Sequence, residues 1–339
     1  MAALAETSGD CVQRRITDDA SFASWKASAA RKELNAFVAR LNASCVHTPN
    51  LPIDEAPPSV RKLMDLLRAI AGACDRFQPV AGEARRYGSP KFREWHAWLV
   101  QALPGLLQPL SDHRELCARL AASFGDPSRV DYGTGHECAF VVFLLAASKL
   151  NVVSHDDIDS GSVVCGVFAE YLRTCRAVQT CFGLEPAGSR GVWALDDYQF
   201  LPFLFGCSQM CHPTEHNRAE SAFGDEDTGL ICVDAASLVS QSMFYECLVF
   251  VKASTGATPL DVAAPLLFNL SRQPWHTNAR RLLRLFDEEV LGQQPVVQHM
   301  LFGELFAGDW EASVDTAESD RAARMRAVMD AANERLAAF

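Results

Sequence analysis

Three short segments, far apart in a chain of 339 residues, carry residue types suited to charged ligands. The first reads Arg129-Val130-Asp131-Tyr132-Gly133-Thr134-Gly135-His136-Glu137 and leads directly into the apolar run 138–150. Thr134 followed by Glu137 has capping-box spacing, in which hydroxyl and carboxylate each satisfy a backbone N–H that the first helical turn leaves orphaned. A glycine-bearing turn into a helix N-terminus is equally an anion site, because its amides and the positive end of the dipole point outward, and Arg129 adds a fixed charge. Local sequence leaves both readings open, and it reads His136 as a packed histidine.

The second segment reads Glu185-Pro186-Ala187-Gly188-Ser189-Arg190-Gly191-Val192-Trp193-Ala194-Leu195-Asp196-Asp197-Tyr198-Gln199-Phe200, a tight loop ending in adjacent carboxylates. Asp197 with a backbone carbonyl such as that of Gly191 can hold one Mg²⁺, a hard ion that takes few protein oxygens and fills its shell with phosphate and water. The competing reading makes Asp196 or Asp197 the cap of a helix beginning at Tyr198. The third segment, Pro295-Val296-Val297-Gln298-His299 with Phe302-Gly303 soon after, reads by itself as a buried loop. Cys207, Cys211 and His212 are metal-type residues without the second pair that structural zinc sites need. The chain has no GxxxxGK(S/T) phosphate loop, no GxSxG elbow and no HExxH helix, so hydrolytic chemistry has no visible machinery.

Helices must position these segments. Phe22, Trp25 and Ala29, then Leu34, Phe37, Val38 and Leu41, recur near a 3.6-residue period and predict a first helix pair. A connector with Pro49, Pro52, Pro57 and Pro58 follows, because prolines remove donors and fix φ. Val60, Leu63, Leu67, Ile70 and Cys74 restart the pattern, Phe92, Trp95, Leu99 and Leu103 carry another helix, and Val163 to Cys175 a longer one. Leu238, Val239, Met243, Cys247, Leu248 and Val251 predict a further helix, as do Leu282, Leu283, Phe286 and Val290. The stretch 207–234 is polar and acidic and reads as a solvated insertion, and Met325, Val328, Met329 and Leu336 mark a terminal amphipathic helix behind an acidic linker. Strand-like alternation is scarce, so the expected class is all-α.

Composition narrows the partners. With 42 acidic against 31 basic residues the net charge is −11, which opposes nucleic acid and anionic membrane surfaces. The 138–150 run is shorter than the roughly 20 residues that span a bilayer and predicts a buried helix. The 12 cysteines are scattered in apolar surroundings without CxxC spacing, and residues 1–15 lack a signal-peptide pattern. Both point to a reducing compartment, the cytoplasm, with the nucleus also open to the chain. At this length two sub-domains around a shared interior are expected.

Taken together, the stretches 129–137, 185–206 and 295–303 closely resemble, in order, the signature regions of the phosphotyrosyl phosphatase activator family. Tyr87-Gly88, Phe92-Arg93, Trp95, Glu246-Cys247, Asn269-Leu270-Ser271 and Trp275 look like further landmarks, so the resemblance runs from about 16 to 303. It implies an all-α fold of helical core, linker and lid lobes over 16–306, with a flexible N-terminus at 1–15 and an acidic linker and C-terminal helix at 307–339. It also implies ATP and Mg²⁺ as cofactors, with Arg129, Thr134, Gly135, Pro295, Gln298 and His299 at the nucleotide and Gly191 and Asp197 at the metal. The partners it implies are the catalytic subunit of protein phosphatase 2A, with the scaffold subunit beside it, and a proline-containing peptide. Asp131, Val192, Trp193 and Trp275 fall at partner or peptide contacts. The family's peptidyl-prolyl isomerase activity needs no acid, base or nucleophile, only a lowering of a rotation barrier of roughly 18–20 kcal/mol. Two departures stand out: Cys211-His212-Pro213 replaces the family's Asp-His-Pro and precedes a longer acidic insertion, and the stretch after Trp275 lacks the usual lysine. They keep open the alternative of a non-catalytic phosphatase-binding scaffold.

Overall fold

The apolar spacings become ten principal helices among the residues described by the computed structural model, which are 11–79, 88–188, 195–211, 238–256, 258–270, 273–308 and 310. They are α1 (Asp19–Ala27), α2 (Ala29–Ser44), α3 (Pro58–Gly72), α4 (Lys91–Leu107), α5 (Arg114–Ala122), α6 (Thr134–Lys149), α7 (Ala169–Phe182), α8 (Leu201–Gln209), α9 (Met243–Thr255) and α10 (Trp275–Leu285). Their ends follow local chemistry. Asp18 and Ser21 form a capping box before α1, Ser28 accepts from the Arg31 amide to start α2, and Pro57-Pro58 opens α3 with proline at the first turn, where no donor is lost. The Val163–Phe168 turn leading into α7 is π-helical, as is Phe286–Val290 after α10.

Helix α6 is apolar on every side, as a helix at the centre of a core must be. Phe140 to Ala147 are all buried, and Phe140 stacks on Tyr171 of α7 with ring centroids 3.7 Å apart. Around this pair α5 lies on α6, α3 on α7, and α8 on both α9 and α10. The buried apolar residues form one continuous cluster from Ile16 to Phe306. Among the described residues no helix is long and apolar enough to cross a membrane.

Short strands, invisible to periodicity, fasten the ends. Strand β1 (Val12–Arg14) lies in the stretch expected to be flexible, yet it pairs antiparallel with the last strand, β4 (Leu301–Gly303). Strand β2 (Asp131–Tyr132) runs parallel to β3 (Glu185–Pro186). Residues 207–210, expected to be solvated, close the buried helix α8, because the apolar stretch from Phe200 continues through them. The rest of that insertion, 212–234, and the expected terminal helix lie outside the described residues.

Candidate functional site

Backbone pairing explains why two of the three segments meet. The Glu185 amide donates to the Val130 carbonyl at 3.1 Å and the Ala187 amide to the Tyr132 carbonyl at 2.8 Å. Val130 holds φ at 59°, a region that β-branched residues rarely enter and that costs of order 1–3 kcal/mol. Glycines let the partners approach. A Cβ on Gly133 would lie 2.9 Å from Ala187 Cβ, and one on Gly135 would lie 2.9 Å from the Val296 carbonyl oxygen, so only glycine seats the third segment on the start of α6.

The three segments enclose a cavity of about 440 Å³ lined by Arg129, Gly133, Thr134, Gly135, His136, Ala187, Gly188, Asp196, Asp197, Pro295, Val296, Gln298 and His299. All six residues expected at a nucleotide, and Asp197, therefore share one space. The first bonds from the opening turn of α6 come from the His136 and Glu137 amides, both to the Gly133 carbonyl. The Thr134 and Gly135 amides have no acceptor among the described residues, as the start of a helix requires unless something caps it. Arg129 is clamped by Asp131 at 2.6 Å and Asp126 at 2.9 Å, with 42% of its side chain exposed. His136 Nδ1 lies 2.8 Å from the Ala122 carbonyl and so carries the proton, and burial lowers its pKa. Burial, with Arg14, Arg129 and His136 nearby, pulls His299 down to about 4, and its Nδ1 has no partner among the described residues. Both imidazoles are neutral at pH 7.

The structure corrects several local readings. Thr134 makes no cap; Gly133 occupies the N-cap position, and Glu137 instead turns inward and accepts from the Phe200 and Leu201 amides, both at 3.0 Å. It thereby caps α8, which begins at Leu201 and not at Tyr198. Asp196 Oδ1 accepts from the Tyr198 amide at 2.8 Å in a turn, while its other oxygen pairs with Arg176. Trp275, expected at a partner contact, is 3% exposed and packs edge-on against Phe244 at 5.0 Å, so its ring belongs to the core. Asp131 is likewise buried and engaged with Arg129. Gly191, Val192 and Trp193 lie outside the described residues.

Three supports of the pocket carry no motif. Glu137 is buried, and burial pushes its pKa up to about 8 against the pull of its two amide donors. Arg176 and Asp196 are an ion pair with side-chain exposures of 12% and 2%. Glu115 and Arg119 of α5, spaced like an ordinary surface pair, are 2% and 1% exposed. Arg119 donates to the Leu301 carbonyl at 2.8 Å, and Glu115 accepts from the Glu304 amide at 2.5 Å, which pins the strand that follows His299. The one signal for such a pair is its placement among apolar neighbours on both helical faces.

A second cavity, about 260 Å³, lies across the Asp196-Asp197 turn and is lined by Pro186, Leu195, Asp196, Asp197, Tyr198, Phe250, Val251, Ser254, Ala263 and Ala264. Asp196 and Asp197 are thus a wall common to both cavities.

Fold and site together define an all-α protein with a pocket at a helix N-terminus. A family profile described as "Phosphotyrosyl phosphate activator (PTPA) protein" matches residues 12–308. The serine/threonine-protein phosphatase 2A activator 2 of Yarrowia lipolytica is 33% identical over 299 residues, covering 86% of this chain and 81% of that one. Its counterpart in Neurospora crassa is 35% identical over 280 residues, covering 79% and 60%. The crystal structure of the PP2A phosphatase activator Ypa1 matches with a TM-score of 0.72 and 26% identity, covering 88% of this chain and 95% of that one. The chain belongs to the phosphotyrosyl phosphatase activator family.

Proposed function

We propose that this chain activates a type 2A serine/threonine phosphatase by docking on its catalytic subunit, with ATP and Mg²⁺ held in the larger pocket. One observation carries the reading: Arg129, Thr134, Gly135, Pro295, Gln298 and His299 come from two distant stretches of chain to share a single cavity with Asp197 of a third. The similar proteins from Yarrowia and Neurospora bear the name of phosphatase 2A activators. The residues fit the ligand. A volume of about 440 Å³ falls in the range of pockets that enclose small molecules. The open amides of Thr134 and Gly135 suit phosphate oxygens, with Arg129 at the rim. Among the described residues no group of three or more His, Cys, Asp or Glu is arranged for a metal, so Mg²⁺ would take one carboxylate, Asp197, and fill its shell with phosphate and water. Bound there, the pair would supply phosphate oxygens and divalent charge beside a protein-docking face. With His136 and His299 neutral, Arg129 supplies the fixed positive charge among the described lining residues.

Pull-down of the phosphatase catalytic subunit tests this directly, with more captured in the presence of ATP and Mg²⁺ than in their absence. Asp197→Ala is expected to abolish reactivation of the phosphatase while leaving helical circular dichroism intact; undiminished reactivation removes the metal assignment.

The second cavity favours an accompanying peptidyl-prolyl isomerase activity. Pro186, Leu195, Tyr198, Phe250 and Val251 form an apolar wall that would desolvate an X-Pro amide, one of the ways, beside a donor that weakens conjugation, to lower a barrier of roughly 18–20 kcal/mol with no catalytic acid or base. A protease-coupled proline-peptide assay without acceleration at high protein concentration leaves a non-catalytic phosphatase-binding scaffold. The described cysteines are free thiols, which fits a reducing compartment, the cytoplasm or nucleus.

A further inference from the structure

We propose that Arg176 is a positioning residue that sets the wall shared by the two cavities and, through it, the placement of the Asp197 carboxylate. The consequence for metal binding rests on the nucleotide reading above; the positioning itself does not. Arg176 stands on α7 and lines neither cavity. Its guanidinium meets four groups at once. It pairs with Asp196 Oδ2, donates to Gln179 Oε1 at 3.1 Å, approaches Cys247 Sγ at 3.7 Å and lies over the Phe250 ring, 3.7 Å from the centroid. One planar group therefore joins α7, α9 and the Asp196-Asp197 turn.

Each contact bears on a cavity wall. Asp196 lines both cavities and Phe250 the smaller one. Held by Arg176 through Oδ2, Asp196 accepts from the Tyr198 amide through Oδ1, so Asp197 sits inside a turn closed on both sides. The Tyr198 hydroxyl donates to the Leu184 carbonyl at 2.8 Å and anchors the turn to the chain just before β3. These anchors hold both residues that flank Asp197 in the turn. Lysine cannot replace the group, because an ammonium is a point charge that neither forks between acceptors nor stacks flat on a ring.

The test uses Arg176→Lys, Arg176→Met and the double variant Arg176→Met/Asp196→Asn. The double variant keeps an acceptor for the Tyr198 amide and leaves no buried charge unpaired. Hydrogen exchange across 195–201 and calorimetric ATP binding, with and without Mg²⁺, are the readouts. In all three variants the Tyr198 amide is expected to exchange about tenfold faster, while the Phe200 and Leu201 amides, held by Glu137, keep their protection. The Mg²⁺-dependent gain in ATP affinity falls by about 10–100-fold, the effect of losing an outer partner of a metal ligand, while the two single variants, whose altered residue lines neither cavity, keep metal-free ATP affinity. In the double variant the melting temperature recovers but Tyr198 protection and the Mg²⁺ gain do not. Unchanged Tyr198 exchange in the single variants overturns the proposal, as does a double variant in which protection recovers together with stability, since Arg176 would then only balance a charge. A wild-type chain that binds no ATP overturns the nucleotide reading instead, and the exchange measurements still decide the role of Arg176.

Discussion

Glu137 offers the sharpest test of how the pocket is built, because its carboxylate replaces the local cap that α8 lacks. Glu137→Ala strands two backbone donors, the Phe200 and Leu201 amides, in the interior. A buried unsatisfied donor costs about 1–3 kcal/mol, so the pair is worth about 4 kcal/mol, a large share of the roughly 5–15 kcal/mol that holds a typical domain. Glu137→Gln keeps one oxygen for both amides and is expected to cost less than about half as much. The two variants also separate charge from hydrogen bonding. The folded value near 8 lies above the ordinary carboxylate value. The stability tied to this group is therefore complete below about pH 4.5 and is lost as pH rises through 8, at up to about 1.4 kcal/mol per pH unit. Glu137→Gln removes that slope, so the variant should gain on the wild type as pH rises from 5 to 8. Urea unfolding followed by circular dichroism at several pH values measures both effects. An Ala variant within about 1 kcal/mol of wild type, or parallel pH profiles for wild type and Gln variant, would refute the reasoning.

Gly135→Ala should weaken ATP binding measurably by calorimetry although alanine is the better helix former, because its methyl would sit 2.9 Å from the Val296 oxygen and push the third segment outward; unchanged affinity counts against that packing. Arg119→Met leaves Glu115 charged and buried, a loss of about 3–5 kcal/mol in urea unfolding, whereas Glu115→Gln/Arg119→Met should recover much of it. His96 and His299 are each held down to about 4 by burial. Because these folded values lie below the ordinary one of about 6.5, the stability from keeping both rings neutral is complete above pH 6.5 and is lost as pH falls toward 4. Proton NMR titration checks this once the His96 and His299 ring signals are assigned by His96→Gln and His299→Gln, and either of those two rings titrating near 6.5 in the folded chain would contradict it.

Much of the fold is legible in apolar spacing. Phe22, Trp25, Leu34 and Phe37 announce α1 and α2, and the run 138–150 announces the central helix, because burial of one face or of all faces imposes a period on the residues themselves. Strands of two or three residues impose no such period, so β1 and its seat against β4 left no trace and the domain edge was set too late in the chain. The site was half legible. The turn before α6 shows its glycines and Arg129, but its local letters favour a capping box over an anion site, and that cap is absent because Glu137 serves a helix 63 residues onward. The family resemblance, not spacing, pointed to Pro295, Gln298 and His299. Glu115 and Arg119 carry no sequence signal because a pair of opposite charges one helical turn apart looks the same on a surface as in a core, and Arg176 carries none because its partner, Asp196, lies 20 residues onward, beyond the end of its helix.

The clasp between the first and last described strands has a consequence for biosynthesis. Trp310 reaches back across 295 positions to donate from Nε1 to the Arg15 carbonyl, close to where β4 lies along β1. The last wall of the pocket is thus anchored to the first strand made. A ribosome must release nearly the whole domain before that wall can close, so a nascent chain halted anywhere earlier carries the glycine turns without a finished cavity. Ligand binding to stalled chains of increasing length should accordingly switch on in one step once the stretch through Trp310 has emerged.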